Sequence, residues 1–398
     1  MKALVTLSAK FDRSLNGPVY PQNPSLTYDF FKRYLDVFDE IVVAARIETN
    51  PGQPVVNEPS DGRGVTFLDV PSFSSIFDLV RFFPRIRALL RAAVRDCDAY
   101  FLRVPDFLGS LAWKEIRHLG LPFAVEVVGD PGDSLKAGSV RHPLRPFIRL
   151  LAIAQLKAQC AEANGAAYVT RHSLQKRFPP GKHAFTTYYS TIDLPASFFI
   201  AEPREYSQPA SRLIHVGTLE VFYKAPEILA DALSILINRG LLLHLTYVGD
   251  GRRRAELAAR ISALGLDRHV TFLGKIPAGS PIAAALDNAH LFILPSRQEG
   301  MPKAMIEAMA RGLPCIGSTA GGIPELLPAE DLVLPGDALA LAEKIMEVAL
   351  DPVRLNKMST RNLSVAQEYR DEVLQARRIQ FYRQVVDTVY KTGKGPML

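Results

Sequence analysis

The alternation of short apolar runs with longer helical patterns, repeated in two halves of the chain, is the feature that most constrains the fold. Runs rich in β-branched residues separated by amphipathic stretches are typical of parallel sheets with crossover helices. In the first half these runs are KALVTLS, EIVVAAR, VTFLDV, AYFLRV, FAVEVV and AAYVT, and in the second half SRLIHVG, LHLTYVG, VTFLG, AHLFILP and PCIGS. This rhythm predicts an α/β protein of two doubly wound, Rossmann-like domains that face a central cleft.

The domain boundaries follow from a segment at 185–210 that is rich in prolines and turn residues. We predict a first domain over 1–195 and a second over 208–375. The remainder, 376–398, completes a helical pattern with apolar residues available for burial. The length of 398 residues, 48% of them hydrophobic, suits two or three domains.

The three cysteines, Cys97, Cys160 and Cys315, are far apart and have no metal-ligand spacing, which favours a reducing compartment. The N-terminal run MKALVTLS meets charged residues without a cleavage pattern, so it is typical of a first strand and not of a signal peptide. No apolar run approaches the roughly 18 residues of a spanning helix. We predict a cytoplasmic protein. A peripheral protein at the inner face of the plasma membrane is the alternative that this prediction includes.

The net charge of +6 is unevenly distributed. Between Asp78 and Lys182 there are 17 Lys and Arg against 9 Asp and Glu, and this excess indicates an anionic partner. An arginine-rich amphipathic pattern lies at 78–96, where an interfacial membrane helix and a core helix with solvated arginines are equally compatible. Its arginines are Arg81, Arg85, Arg87, Arg91 and Arg95. We predict no nucleic-acid binding, because aromatic interleaving and recognition motifs are lacking.

Ligands of doubly wound sheets bind at the carboxyl ends of the strands, so the loops after each run are the candidate sites. The loop after AHLFILP is PSRQEGMPKAMIEAMARGLP, which predicts a helix with Pro302 at its first position and Gly312 after its end. The unpaired amides of Gly300 to Lys303 would suit an anionic oxygen. Glu299 and Glu307 carry carboxylates that can hold pairs of sugar hydroxyls.

These loops carry a family resemblance. The segment just quoted resembles the E-x7-E region of retaining glycosyltransferases with the GT-B fold, specifically glycosyltransferase family four. VGTLEVFYKAPEILADAL resembles the diphosphate loop of that family, VGDGRRRAEL its next strand turn, FLGKIP its base-binding loop and STAGGIPELL its closing glycine-rich turn. The matches follow the order of the family over 208–330, about a third of the chain. In this fold the last helix commonly crosses back to the first domain.

The resemblance implies a role for each matched residue. Glu299 would contact donor-sugar hydroxyls beside Gly300, Met301 and Pro302, while Glu307 would hold the ribose. Lys224 would stabilise the charge on the leaving diphosphate. The other residues expected to line the donor site are Gly217, Thr218, Gly249, Lys275 and Ile276. Alternatively, Glu299 is a first-turn carboxylate favoured by the helix dipole and Glu307 a solvent-facing residue.

The sequence departs from the family at Thr218, where an arginine is frequent. Threonine brings no charge, so diphosphate binding must depend on Lys224, on backbone amides, or on Arg252 or Arg253.

The first half resembles the family less. Asp130, in FAVEVVGDPGDSL, is the candidate for an acceptor-site residue that many members fill with histidine, and the alternative is an Asx turn before Pro131. Gly17 either approaches the diphosphate or forms a simple turn.

The implied reaction is sugar transfer from a nucleotide-diphosphate donor to a glycan or lipid-linked acceptor with retention, in polysaccharide or glycolipid assembly. The transition state is expected to be oxocarbenium-like. We predict no cofactor and no essential metal, since the only DxD, at Asp96 and Asp98, precedes a strand. The alternatives are a sugar-nucleotide epimerase or hydrolase on the same fold and an inactive partner subunit that binds the nucleotide sugar.

Overall fold

The fold comes from a computed structural model, which describes residues 1–13, 17–49, 58–73, 75–135 and 144–391. The chain forms two compact units. The first unit comprises Met1–Val169, Leu174–Tyr189 and the chain from Gln375 on, and the second comprises Thr170–Ser173 and Ser190–Leu374.

The first unit is built on a sheet with the strand order β4-β3-β1-β5-β6-β7-β8, and a further strand, β2, pairs antiparallel with β1. Its strands are β1 (Lys2–Arg13), β2 (Val19–Pro21), β3 (Glu40–Thr49), β4 (Val65–Pro71), β5 (Ala99–Val104), β6 (Ala124–Val127), β7 (Gly165–Tyr168) and β8 (Phe185–Tyr188). Its helices are α1 (Tyr28–Lys32), α2 (Ile76–Asp96), α3 (Phe107–His118), α4 (Pro131–Ser134) and α5 (Arg145–Glu162), and α6 (Ser173–Arg177) follows β7. The central strands are buried on both faces, which explains their continuous apolar runs.

The second unit has a parallel sheet with the order β11-β10-β9-β12-β13-β14. Its strands are β9 (Arg212–Val216), β10 (His244–Val248), β11 (Val270–Gly274), β12 (Leu291–Leu294), β13 (Cys315–Ser318) and β14 (Leu332–Val333). Its helices are α7 (Pro226–Asn238), α8 (Arg254–Ala263), α9 (Ser280–Asp287), α10 (Lys303–Ala310), α11 (Ala338–Ala349) and α12 (Pro352–Ala366). Leu229 and Leu233 of α7 and Ile345 of α11 are fully buried in its core.

The last helix, α13 (Asp371–Lys391), returns to the first unit, as predicted. The Tyr382 ring stacks on Tyr34 at 4.6 Å between centroids, and Phe381 meets Phe185 at 5.4 Å. Aromatic burial of this size fixes the helix on the first sheet. Two Rossmann-like units with parallel sheets confirm the predicted α/β fold class.

Some elements differ from the sequence prediction. Phe185–Tyr188 forms strand β8, although the sequence predicted that the crossing segment begins at 185. Strand β1 continues to Arg13, beyond the predicted KALVTLS run, after a register shift between Thr6 and Lys10. Such a shift interrupts the alternation on which strand prediction depends.

Among the described residues, none of the helices combines the length and the apolar character needed to span a bilayer.

Candidate functional site

Three loops of the second unit are joined at the carboxyl ends of their strands. The Gly217 amide donates to the Val248 carbonyl at 2.9 Å, and the Gly249 amide donates to the Gly274 carbonyl at 2.8 Å. The Leu219 amide also donates to the Asp250 carbonyl at 3.0 Å. The predicted diphosphate loop, strand turn and base-binding loop are therefore neighbours at one edge of the sheet.

The approach of two of these loops requires a glycine at position 249. Gly249 has φ +136°, and a Cβ there would lie 1.9 Å from the Gly217 carbonyl oxygen. A side chain would push the diphosphate loop away from β10 and would also strain the backbone.

We therefore expect Gly249→Ala to lower the free energy of unfolding by about 2–4 kcal/mol and to weaken nucleotide binding. Gly240→Ala is the matched control, because Gly240 has φ +86° but no atom within 4 Å of its added Cβ. It should cost only about 1 kcal/mol, the strain of the left-handed backbone alone. Equal losses in chemical denaturation would show that the loop contact contributes nothing.

Lys224 stands at the end of a short 3₁₀ turn, Phe222–Lys224, directly before α7. Its ammonium nitrogen donates to Glu299 Oε1 at 2.7 Å, and the two side chains are only 12% and 6% exposed. The structure thus brings together two residues that lie 75 positions apart and that were predicted from two different sequence motifs.

Glu299 is positioned by its own loop. The Ser296 hydroxyl donates to the same Oε1 at 2.7 Å, and the Arg297 amide ties the loop to the Tyr223 carbonyl at 2.7 Å. The glycine-rich turn also packs here, because a Cβ on Gly321 would lie 1.9 Å from the Glu299 carbonyl oxygen. One carboxylate oxygen is therefore held by two donors, and among the described residues we find no donor to Oε2.

Helix α10 begins one residue later than predicted. Pro302 is the N-cap, with φ −76° and ψ 99°, and Lys303 is the first helical residue, which corrects the expected position of the proline. The helix ends as predicted, since Gly312 adopts φ +65° and its amide donates to the Met309 carbonyl at 2.9 Å. Proline has no side-chain acceptor, so the N-cap residue of α10 provides no side-chain cap to the first amides of the helix.

Glu307 lies inside α10 among buried neighbours, Met305, Ile306 and Ala308. Burial raises the pKa of its carboxyl to about 7, and the nearby Lys303 opposes this increase only in part. We find no hydrogen bond or salt bridge to this carboxylate within the described part of the chain. Burial of this kind disfavours the charged form of the carboxyl, and perturbed carboxyl groups cluster at ligand-binding sites.

His215 is a neighbour of the site that the sequence did not suggest. Its Nδ1 lies 3.0 Å from the Ile293 carbonyl, which can only accept, so Nδ1 carries the proton. Burial, helped by the charge of Lys224, lowers the pKa of the imidazole to about 4 and keeps it neutral. Nε2 has no hydrogen-bond partner among the described residues and lies 3.2 Å from where a Cβ on Gly217 would be. A histidine within an apolar strand gives no sequence signal for such a position.

The other residues considered for diphosphate binding, Thr218, Arg252 and Arg253, already form hydrogen bonds within the protein. Thr218 accepts the Glu220 amide at 3.2 Å, so its hydroxyl shapes the turn. Arg252 donates to Glu220 at 2.7 Å, and Arg253 donates to Glu256 at 2.8 Å. Of the bases considered in place of the frequent arginine, Lys224 is the one that points at a candidate sugar-binding carboxylate.

The other predicted donor-site residues lie in the second unit. Lys275 is exposed and Ile276 is half-buried directly after β11. Gly300 accepts the Gly322 amide at 2.8 Å, and the Met301 sulfur lies 3.7 Å from the Tyr369 hydroxyl. Gly300 and Met301 directly follow Glu299 in its loop, and Lys275 and Ile276 follow the strand whose last residue, Gly274, accepts the Gly249 amide.

Asp130 and Gly17 lie in the first unit. Asp130 is the N-cap of α4, where Oδ1 accepts the Gly132 amide at 2.6 Å and Oδ2 contacts the Arg177 guanidinium. Burial raises the pKa of the Asp130 carboxyl, and Arg177 opposes the rise. This is the Asx-turn alternative, and the catalytic role stays a prediction. Gly17 follows β1 in a hairpin with β2, and its carbonyl accepts from Arg13 at 3.3 Å.

The DxD residues occupy the turn between α2 and β5. Asp96 pairs with Lys2 at 2.6 Å, and Asp98 accepts the Lys2 amide at 2.8 Å. The described residues include no group of His, Cys, Asp or Glu side chains arranged to hold a metal ion.

Comparisons with known proteins agree with this geometry. Residues 210–351 match the family described as glycosyl transferases group 1. Protein CapJ of Staphylococcus aureus is 26% identical over 80% of this chain and 80% of its own length. The amylovoran biosynthesis glycosyltransferase AmsK of Erwinia amylovora is 36% identical over 30% of this chain and 31% of its own.

Similarity to a solved structure extends over both units. HepE of Anabaena in complex with UDP-glucose has a TM-score of 0.66 and 16% identity, covering 98% of this chain and 100% of HepE. Identity this low shows the fold alone. The chain therefore has the two-unit GT-B fold, and its residues 210–351 match the glycosyl transferases of group 1.

Proposed function

We propose that the chain transfers a sugar from a nucleotide-diphosphate donor to a glycan or lipid-linked acceptor, with retention of the anomeric configuration. The observation that supports it best is the buried contact of Lys224 with Glu299, 2.7 Å long, at the carboxyl end of the second sheet. It joins a cation suited to a diphosphate and a carboxylate suited to sugar hydroxyls in a single site.

Each charged residue has a separate task in this proposal. Lys224 has two N–H donors beyond the one given to Glu299, and it stabilises the charge that develops on the departing diphosphate. Glu299 uses its second oxygen to hold the donor sugar. Glu307 accepts from the ribose hydroxyls, and the amides at the start of α10 face the sugar phosphate.

No protein nucleophile is needed. Glu299 is restrained by Lys224 and Ser296, so it acts as a fixed acceptor of hydrogen bonds. Attack of the acceptor from the face that the phosphate leaves would retain the configuration through an oxocarbenium-like state. We accordingly propose turnover without metal or cofactor.

The biological setting is also a proposal. The name of AmsK places that protein in amylovoran biosynthesis, and we extend polysaccharide or glycolipid assembly to this chain, at the cytoplasmic side of the plasma membrane. The arginines of α2 support an anionic surface only in part, because Arg87 and Arg91 donate to Glu115 at 2.9 and 3.0 Å. Arg81, Arg85 and Arg95 form no ion pair within the described residues.

Retention is tested by incubating the protein with nucleotide sugars in the presence of a chelator and identifying by NMR which anomer of the sugar is formed. We expect slow donor hydrolysis, or transfer to a simple acceptor, to yield initially the anomer that the donor carried. Initial release of the opposite anomer would contradict retention, and dependence on added Mg²⁺ or Mn²⁺ would contradict metal independence.

A second candidate is a partner subunit that binds the nucleotide sugar without turnover. The uncharged Thr218 and the paired Arg252 and Arg253 favour it, because they leave the diphosphate with fewer cations. Tight binding of a nucleotide sugar with no release of either anomer would support this candidate.

A further inference from the structure

Large apolar side chains are exposed on two helices of the first unit. Among the described residues, α2 exposes Phe77 by 82% and Val80 by 69%, with Phe83 on the same helix at 39%. The start of α5 exposes a second group: Leu144, Phe147, Ile148, Leu150 and Leu151, each between 41% and 66%. These eight residues are nearly half of the seventeen exposed large apolar side chains in the described structure, so the exposure is concentrated in one part of the chain.

The topology puts both groups on one side of the sheet. Helix α2 connects β4 to β5, and α5 lies in the connection from β6 to β7. Both connections therefore move in the same direction along the strand order β4-β3-β1-β5-β6-β7. Right-handed crossovers in the same direction lie on the same face. Helix α3 lies between them, since its Glu115 binds Arg87 of α2 and its Trp113 donates to Glu162 of α5 at 3.1 Å.

Both groups also lie at the same end of the sheet. Crossover helices begin near the carboxyl ends of the preceding strands, and the exposed residues belong to the first half of each helix. That is the end of a doubly wound unit where ligands bind. An apolar surface here would bring a hydrophobic partner close to the acceptor region of this unit.

The positive charge beside these exposed apolar residues indicates which kind of partner they bind. Arg81 and Arg85 lie among the exposed apolar residues of α2, and Arg81 stacks on Phe82 at 5.5 Å. A two-fold contact with a second copy through this surface would bring like charges together. An anionic layer with an apolar interior complements both features at once.

We propose that the first halves of α2 and α5 form an insertion surface for an anionic lipid bilayer. Phe77, Val80, Phe147 and Leu150 enter the boundary between headgroups and acyl chains, and the arginines contact lipid phosphates. One consequence, which rests on the proposed function, is that the acceptor is carried on a lipid. The bound enzyme meets this lipid at the carboxyl end of its first sheet.

Flotation of the full chain with phosphatidylcholine vesicles, with and without phosphatidylglycerol, tests the surface. We expect wild type to float with anionic vesicles, and the double variant Phe147→Asp/Leu150→Asp to lose at least about 10-fold in partitioning even at low salt. Arg81→Glu/Arg85→Glu should lose binding to anionic vesicles in a salt-dependent way. The matched control is Leu334→Asp/Leu339→Asp, two residues of the second unit that are 68% and 50% exposed.

The proposal would be overturned if the control variant Leu334→Asp/Leu339→Asp floated as poorly as Phe147→Asp/Leu150→Asp. It would also be overturned if wild type did not bind the vesicles. A wild-type dimer that Phe147→Asp/Leu150→Asp converts to monomer would overturn it as well, because the surface would then belong to a second copy. The vesicles contain no acceptor, so flotation is independent of turnover. Vesicle binding without any transferase activity would therefore reject the proposed function and leave the surface intact.

Discussion

Replacement of Lys224 by methionine should lower kcat for sugar transfer by about 10²–10³-fold, the usual effect of removing one preorganised charge from a developing anion. The lysine is held 2.7 Å from Glu299 with 12% of its side chain exposed, so water cannot substitute for it effectively. Affinity for a nucleoside diphosphate should also fall, while affinity for the nucleoside alone should not change.

The variant also leaves Glu299 buried without its cation, which can destabilise the fold by about 3 kcal/mol. The double variant Lys224→Met/Glu299→Gln removes that unpaired charge and should recover most of the stability without recovering activity. Lys344→Met, which breaks a surface pair with Glu347, controls for loss of a lysine and should retain full activity. Activity within about 3-fold of wild type in Lys224→Met would remove the lysine from the mechanism.

Glu307 should make both stability and nucleotide binding depend on pH near neutrality. Its pKa is about 7 in the folded protein against an ordinary 4.5, so folding favours the protonated form. The stability that this form provides is fully present below pH 4.5 and is lost as the pH rises through about 7. By pH 8, Glu307→Gln should be more stable than wild type by up to about 3 kcal/mol, and the difference should vanish near pH 4.

A bound ribose that is held by the ionised carboxylate would lower this pKa. Below pH 7 the nucleotide affinity of wild type should therefore rise with pH, by up to about 10-fold per unit, and binding should release a proton. Calorimetry in buffers of different ionisation enthalpy measures that proton. The affinity of Glu307→Gln should be weaker and should not vary over the same range. A wild-type affinity that is independent of pH would show that the Glu307 carboxylate does not hold the nucleotide.

Most of the sheet strands were predictable because buried parallel strands form continuous apolar runs. The runs before Lys224, Gly249 and Glu299 each correspond to a strand, so the loops that follow them were identified correctly. Strands β2, β8 and β14 are short or at edges, and their few buried residues produced no distinct pattern.

Details of the site depended on contacts that sequence spacing does not contain. Ser296 lies in the same loop as Glu299 and His215 lies within β9, but the hydrogen bond of Ser296 to Glu299 and that of His215 to the Ile293 carbonyl depend on the folded backbone and not on spacing. The backbone at Ala225 takes the left-handed conformation, with φ 53°, without a glycine to signal it. Pro302 was placed one residue too far inside α10, since both the N-cap and the first position tolerate a missing amide.

The most direct test of the donor site is equilibrium binding without metal. Isothermal titration of wild type and Glu307→Ala with the diphosphates of uridine, guanosine and adenosine, and with their sugar conjugates, would provide it. We expect that one nucleoside diphosphate and its sugar conjugates bind wild type, and that Glu307→Ala binds them at least about 10-fold more weakly. Absence of binding to wild type across the panel, or equal binding by the variant, would contradict this expectation.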